Sequence, residues 1–259
     1  MLAAERRRAI LVNLQSGGAV RVSDLAAELS VSEMTVRRDL DVLDSQDLLR
    51  KVHGGAVTRH RRGEEPKSSE NARHRRLEKI EIAEKAAGLV TDGVTIAVGA
   101  GTTTTELARV LRDRSSITVI TNSITVFDVL TAADAEDGPD AYLSGGVRTP
   151  SDALVGPIAD TALASFRVDA TFLGVHGFDV HAGLTSPNIA EAQTNRTLIE
   201  IAPRLVVLAD HTNYREVGTN VFARLDQVDT LITDDGLELG ERSPLEGRVG
   251  ELIIVAATA

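Results

Sequence analysis

The 259-residue chain is 42% hydrophobic and 25% charged, with no cysteine, no tryptophan, two tyrosines and five phenylalanines. That composition is typical of folded globular proteins, and the length suffices for one large or two ordinary domains. Without cysteine, disulfides, thiolate metal sites and cysteine nucleophiles are all excluded. The net charge of −10 averages two unlike parts: residues 1–79 carry 16 Lys+Arg against 12 Asp+Glu, and residues 80–259 carry 12 against 26. A polyanionic partner is therefore expected on the N-terminal part. The longest apolar run, residues 252–257, falls far short of the ~18–20 residues of a membrane span. No long apolar segment follows the charges of residues 1–8, so no secretory signal is expected. The expectation is a cytoplasmic protein with no membrane partner.

In chain order, residues 3–57 read as three short helices and a hairpin. Ile10, Leu11 and Leu14 place apolar groups on one side of a first helix, which Gly17-Gly18 ends. Val22, Leu25, Ala26 and Leu29 recur at helical spacing, predicting a second helix from about Ser23. Ser30-Val31-Ser32 interrupts, and Ser32 is placed to cap a third helix running to about Ser45, with Val36, Leu40 and Leu43 inward. Residues 48–57 then form two short strands around a turn. This is the order of a winged helix-turn-helix.

Residues 58–79 are rich in charge and nearly devoid of apolar groups, and read as a linker with a helical tendency towards its end. From Ile80 onward short apolar runs alternate with helical stretches. Strands are predicted at 94–98, 117–121, 141–144, 169–175, 205–209, 228–232 and 251–255. Helices are predicted at 80–90, 103–112, 123–132, 154–165 and 188–202. Such alternation predicts an α/β domain over 80–259 with a largely parallel sheet.

Laid out at 100° per residue, the third helix turns Met34, Arg38 and Asp41 away from its apolar side, with Arg37 beside them and Thr35 on the other flank. Arginine grips guanine O6 and N7 with two bonds, and threonine offers a hydroxyl and a methyl group, so this face has the chemistry of a major-groove reader. Arg50, Lys51 and His53 in the hairpin are candidates for phosphates or a minor groove. The plainer alternative is a solvated face on which Arg37 and Arg38 pair with Asp39 and Asp41. The helices and hairpin in register favour DNA.

Glu5-Arg6-Arg7-Arg8, Val22-Ser23-Asp24-Leu25-Ala26, Val31-Ser32-Glu33-Met34-Thr35-Val36-Arg37-Arg38-Asp39-Leu40 and Val52-His53-Gly54-Gly55-Ala56 together resemble the DeoR family of bacterial transcriptional regulators. The C-terminal part is similar to that family's sugar-sensing domain. The resemblance implies a repressor of carbohydrate genes, released from its operator by a phosphorylated sugar or related metabolite. It also implies a sensor fold shared with ribose-5-phosphate isomerase.

The segment from Val94 to Leu107 reads as strand, glycine turn, helix. Gly101, Thr102, Thr103 and Thr104 at the helix start combine free amides and hydroxyls, a ready anion site. The loop lacks the third glycine of a dinucleotide fingerprint and the Gly-Lys-Ser/Thr of a P-loop. Its plainer reading is a tight turn with capping threonines. Further polar or glycine turns follow predicted strands at Asn122-Ser123, Gly145-Gly146, His176-Gly177 and Asp210–Asn213. In a parallel sheet, strand ends on one edge form the pocket.

Against the pattern implied by the resemblance, three positions depart. An expected Asp-x-Gly-Thr-Thr is Gly99-Ala100-Gly101-Thr102-Thr103. An expected Glu-Ala-x-x-Lys is Glu191-Ala192-Gln193-Thr194-Asn195, and an expected Asp-x-x-Lys is Asp210-His211-Thr212-Asn213. Two ammonium groups and a carboxylate are thus missing, and Lys85 is the only lysine after Lys79. Either the effector is hydroxyl-rich rather than strongly anionic, or Arg148, Arg196 or Arg215 supplies the charge.

An enzyme reading, an isomerase acting on sugar phosphates, would keep Glu191 and Asp210 but lack the lysines. Gly-x-Ser-x-Gly and His-Glu-x-x-His motifs are absent, and nothing in the chain points to a cofactor or resident metal. The expected partners are double-stranded operator DNA, a small carbohydrate or sugar-phosphate effector, and further copies of the chain in a dimer or tetramer.

Overall fold

The computed structural model describes residues 2–17, 19–46, 48–52, 54–58, 75–132 and 138–257. The chain divides into two compact units, Met1–Arg61 and Arg62–Ala259.

The first unit holds α1 (Ala3–Gly17), β1 (Ala19–Arg21), α2 (Val22–Glu28), α3 (Glu33–Ser45), β2 (Leu49–Val52) and β3 (Gly55–Thr58). Ile10, Leu14, Leu25, Val36, Leu40, Leu43 and Leu49 form its core, as the helical spacing predicts. The strands form an antiparallel sheet in the order β1-β3-β2. The sequence reading contained only the hairpin; β1 is three residues long and has no alternation to reveal it. The glycine pair of the hairpin has two separate reasons. Gly54 adopts φ +79°, which a side chain would strain, and a Cβ on Gly55 would lie 2.1 Å from the Val20 carbonyl oxygen. Only glycine lets β3 lie against β1 there.

Asp39 is the buried acid of this unit, at 3% exposure of its side chain. It accepts hydrogen bonds from Arg6 Nε and, at 3.0 Å, from Arg7 Nε, tying α3 to α1. It is therefore not a surface partner of the α3 arginines.

The second unit contains α4 (Arg76–Ala87), β4 (Thr95–Val98), α5 (Thr102–Leu111), β5 (Thr118–Thr121), α6 (Ile124–Leu130) and β6 (Asp140–Leu143). It continues through β7 (Val147–Arg148), β8 (Leu154–Val155), α7 (Pro157–Ala164), β9 (Ala170–Gly174), β10 (Gly177–Asp179), β11 (Gly183–Ser186) and α8 (Ile189–Glu200). It ends with β12 (Leu205–Leu208), β13 (Asn220–Ala223), β14 (Thr230–Asp234), α9 (Leu239–Glu246) and β15 (Glu251–Val255). Seven strands form one parallel sheet in the order β15-β14-β12-β9-β4-β5-β6. Alternate strand residues feed two cores. Phe172, Val206 and Ile232 join Ile82, Leu107 and Val126 on one face. Leu173, Val207 and Leu231 join Leu163, Leu198, Phe178 and Phe222 on the other. Burial on both faces explains why these strands read as continuous apolar runs.

Three departures from the sequence reading have local causes. The helix expected over 154–165 is broken: Leu154–Val155 pairs with β7, Gly156 turns at φ +91°, and Pro157 opens a shorter helix. A second sheet, β10-β11-β13, and α9 went unread because their strands are short and α9 contains Pro244. Finally, α4 begins at Arg76, inside the stretch read as linker, while residues 59–74 lie outside the described ones.

Replacing Asp39 by alanine leaves Arg6 and Arg7 facing an apolar site. We expect a loss of about 2–4 kcal/mol in the first unit, toward the lower end for a broken buried pair because Arg7 is a third exposed. Urea unfolding of the full chain checks this; an unshifted transition would show that the arginines are held otherwise.

Candidate functional site

On α3 the outward face is built as the helical wheel requires. Ser32 caps the helix by accepting from Thr35 N at 3.2 Å, and its hydroxyl lies 2.9 Å from Thr35 Oγ1. Met34 is exposed. Arg37 pairs with Glu33 one turn earlier at 3.1 Å, and Lys51 Nζ pairs with Asp41 across to β2. Arg38 is exposed and makes no hydrogen bond or ion pair among the described residues. Arg50 lies in β2 opposite Val57. His53 lies outside the described residues.

The second candidate is the edge of the large sheet at the strand C-termini. From β4 the chain moves outward through β5 and β6, then returns past β4 to build β9, β12, β14 and β15 on its other side. The strand order therefore reverses between β4 and β9, the position at which open α/β sheets hold ligands. Gly101 closes the first loop at φ +148°, and a Cβ there would sit 3.4 Å from the Gly174 Cα and 3.2 Å from Thr104 Oγ1. The first intrahelical bond of α5 is Thr105 N to Gly101 O, so the amides of Thr102, Thr103 and Thr104 precede the ladder.

The predicted residues around this edge fall into two groups. One group is engaged in building the edge. Asn122 is fully buried, accepts from Ala100 N at 3.1 Å and donates to Leu154 O at 3.1 Å. Ser123 caps α6 through Val126 N, and Gly145 and Gly146 form the turn into β7. Thr104 donates to Gly101 O at 2.9 Å, Glu191 accepts from Ser186 Oγ at 2.9 Å, and Asn213 donates to His176 O at 3.0 Å.

The other group is buried and takes less part in building the edge. Thr103 (5% exposed) and Asn195 (7%) make no side-chain hydrogen bond among the described residues. Asp210 (3%) accepts two bonds from Thr212 on Oδ1, and its Oδ2 lies 3.9 Å from Lys79 Nζ. Asn195 lies on α8, one turn before Leu198, whose Cδ1 would be 3.6 Å from a Cβ on Gly99.

A residue that the sequence reading left in the linker also enters. Lys79 is 6% exposed, with Nζ 3.9 Å from Asp210 Oδ2. Burial pulls its pKa down, while Asp210, Glu78 and Glu106 act against that pull. The signal was available: Lys79, Ile82, Ala83, Ala86 and Ala87 lie on one buried stripe at helical spacing, with lysine as its first position. The arginines offered as substitutes are engaged elsewhere. Arg148 pairs with Asp152 at 2.5 Å, Arg196 donates to Val221 O, and Arg215 pairs with Glu241 at 2.9 Å.

Beside Asp210, His211 Nδ1 lies 2.5 Å from Asp234 Oδ2, and Asp234 also accepts from His211 N and Gly236 N. Burial disfavours the imidazolium, but the hydrogen bond and charge of Asp234, helped by Asp210, outweigh it and raise the His211 pKa above 6.5. Burial likewise disfavours the Asp234 carboxylate, and its bonds from His211 and the backbone reverse that, lowering its pKa below 3.8. Stabilisation from His211 is thus fully present below pH 6.5 and fades as pH rises through its raised value. Stabilisation from Asp234 is present above pH 3.8 and fades as pH falls through its lowered value. Urea midpoints should therefore decline on the alkaline side, and His211→Gln should flatten that decline; an unchanged slope in the variant would assign it to another group.

Two family models match this chain: the DeoR-like helix-turn-helix domain over residues 6–62 and the DeoR C terminal sensor domain over residues 74–235. The transcriptional repressor AccR of Agrobacterium fabrum is 33% identical over 236 residues, 90% of each chain. The HTH-type transcriptional regulator GlpR of Haloferax volcanii is 34% identical over 247 residues, 95% of each chain. Among solved structures, ribose 5-phosphate isomerase A of Methanocaldococcus jannaschii aligns over 52% of this chain and 53% of its own, at 20% identity and a TM-score of 0.38, too low to bear on activity. The relatives that match nearly end to end are regulators of transcription, not enzymes. The chain belongs to the DeoR family of transcriptional regulators.

Proposed function

We propose that the protein is an operator-binding repressor whose DNA affinity is set by a small carbohydrate bound at the C-terminal edge of the large sheet. The observation that carries the effector reading is the set of buried polar groups on Thr103, Asn195 and Asp210, of which Thr103 and Asn195 make no side-chain hydrogen bond among the described residues. A hydroxyl, an amide and a carboxylate oxygen are partners for sugar hydroxyls, which both donate and accept. The free amides of Thr102, Thr103 and Thr104 favour an anionic end by about 0.3–1 kcal/mol, while the Asp210 carboxylate opposes high negative charge. A neutral or singly charged sugar derivative fits this chemistry better than a bisphosphate. Asn122, Ser123, Gly145, Gly146, Glu191 and Asn213 shape the edge and hold its loops in place.

On the DNA side, Met34, Thr35, Arg37 and Arg38 face the major groove, and Arg50, Lys51 and His53 meet the backbone or minor groove. One small winged unit covers too little DNA for operator-grade affinity, so the active form is a dimer or tetramer reading symmetric half-sites. Its compartment is the cytoplasm, with the DNA.

Effector binding releases DNA only through differential affinity for the two states. Thermal-shift screening against sugars, sugar acids and sugar phosphates tests the class, and a bisphosphate as tightest ligand would refute it. Thr103→Val should abolish release by the effector so found while leaving operator affinity intact; normal release would remove Thr103 from the site.

Fluorescence anisotropy on DNA upstream of the protein's own gene tests the reader. Arg38→Ala should cost about 1–3 kcal/mol and relax preference at one operator position. Lys51→Ala should weaken all sequences alike and lower the salt slope by about 1. Wild-type affinity in the Arg37/Arg38 double alanine variant would exclude α3 as the reader.

A further inference from the structure

We propose that Arg21 contacts a DNA phosphate, extending the DNA face from α3 and the β2–β3 wing onto β1. The inference rests on the reading of α3 and the wing as that face, and adds to it a cation that the sequence reading passed over.

Three observations converge. First, Arg21 is uncommitted. It is exposed at the end of β1 and makes no hydrogen bond or ion pair among the described residues. Other cations of this unit are taken: Arg6 and Arg7 by Asp39, Arg37 by Glu33, and Lys51 by Asp41. The acid nearest to Arg21 along the chain is Asp24. Its carboxylate accepts from Ser23 Oγ at 3.0 Å instead and forms no ion pair among the described residues.

Second, the fold holds Arg21 beside the wing turn. In the sheet Arg21 stands opposite Gly55, and Val52 stands opposite Gly55 on its other side, so the three form the last row before the turn. Val22 N donates to Gly54 O at 2.8 Å, tying the start of α2 to the turn itself. A Cβ on Gly55 would lie 3.3 Å from the Arg21 Cα, so the bare glycine is what lets the two backbones approach. Val20 packs against the core, and strand alternation therefore turns Arg21 to the solvent face.

Third, cations bracket the wing. Lys51 on β2 adjoins α3 through Asp41, while Arg21 lies on β1, and these are the two outer strands of the sheet β1-β3-β2. At about 4.8 Å between neighbouring strands, their backbones stand about 10 Å apart. Phosphates recur about every 3.4 Å of rise along a DNA strand, so cations with this separation meet different phosphates and their salt dependences add. A guanidinium gives a phosphate two parallel hydrogen bonds. Such a contact carries no sequence information but fixes how the unit sits, and with it the angle at which α3 enters the groove.

The test uses the full-length protein and fluorescence anisotropy on two duplexes of equal length: DNA upstream of the protein's own gene, and a scrambled version of it. Affinity is followed from about 50 to 200 mM salt. Arg21→Ala should weaken both duplexes alike and reduce the salt slope by about 0.9 for each bound copy of the chain. Its deficit against the wild type should therefore narrow roughly three- to fourfold per bound copy across that range. Arg21→Lys should restore the slope, because a phosphate is also met by a point charge. Arg21→Ala combined with Lys51→Ala should lower the slope about twice as far as either alone. Arg8→Ala removes the same charge from an exposed position on α1 and should leave the slope at the wild-type value. The urea midpoint of Arg21→Ala should match the wild type, since the side chain is exposed. A wild-type slope in Arg21→Ala, beside weakened binding in the Arg37/Arg38 double alanine variant, overturns the role of Arg21 and leaves α3 as the reader. An equal fall in Arg8→Ala assigns the effect to net charge and overturns the contact. Relaxed preference for one operator base pair in Arg21→Ala, not restored by Arg21→Lys, overturns the phosphate assignment in favour of a base contact. Wild-type affinity in both Arg21→Ala and the Arg37/Arg38 double variant overturns the DNA face as a whole, and this inference with it.

Discussion

The reversal of strand order between β4 and β9 is the constraint on which the sensor unit depends. A parallel sheet sends every strand end to the same edge, and the reversal keeps the connections after β4 and β9 from covering the gap between them. The gap must still be held to a fixed width, and two contacts do this. Gly101 and Gly174 approach without side chains, bringing the loops together at the bottom. Asn122, with no access to solvent, joins the β4 loop through Ala100 N to the segment entering α7 through Leu154 O. Both bonds are buried, so removing the amide would leave a donor and an acceptor unsatisfied. The start of α5, the mouth of α8 and the turn after β12 take their positions from this arrangement.

Within it, like residues serve opposite ends, and hydrogen-bond satisfaction separates them. Thr104 and Thr105 turn back onto the Gly101 carbonyl, whereas Thr103 does not. Asn122 is bonded at both ends of its amide, whereas Asn195 makes no side-chain hydrogen bond among the described residues. Leaving a buried polar group unmatched costs about 1–3 kcal/mol where water is excluded, so such groups persist where solvent or a ligand can reach them. The unengaged set is concentrated on the sheet edge, on elements that arrive from different parts of the chain.

Much of this was legible in sequence where burial leaves a period. All seven strands of the large sheet were read, the five central ones as apolar runs because both faces are covered, and α3 because Val36, Leu40 and Leu43 share a side. The unread parts are those whose reason is tertiary. Ala19–Arg21 becomes a strand only because Gly55 allows β3 beside it. Lys79 was assigned to the linker because a charged segment precedes it, although its spacing from Ile82 and Ala86 already placed it on the buried side of a helix. The loop residues around the sheet edge can be named from sequence, but sequence does not say which hydroxyl already has a partner. That depends on rotamers and on neighbours far along the chain.

The first unit shows the same division among its arginines. Arg6 and Arg7 are committed to Asp39, which makes the acid after the paired arginines of α3 a structural residue holding α1 and α3 at a fixed angle. The remaining cations of the reading face are held lightly. Arg37–Glu33 and Lys51–Asp41 are exposed pairs, worth about 0–1 kcal/mol each, so exchanging a carboxylate for a DNA phosphate costs little. Until DNA arrives, those pairs restrain the side chains near the orientations a groove would require, which lowers the entropy lost on binding. Among the described residues Arg38 has no such partner to give up. In the proposed DNA-reading role, a face built this way, rigid beneath and loosely compensated above, would allow the salt-dependent contacts and the base contact to be altered separately, because they would reside on different residues.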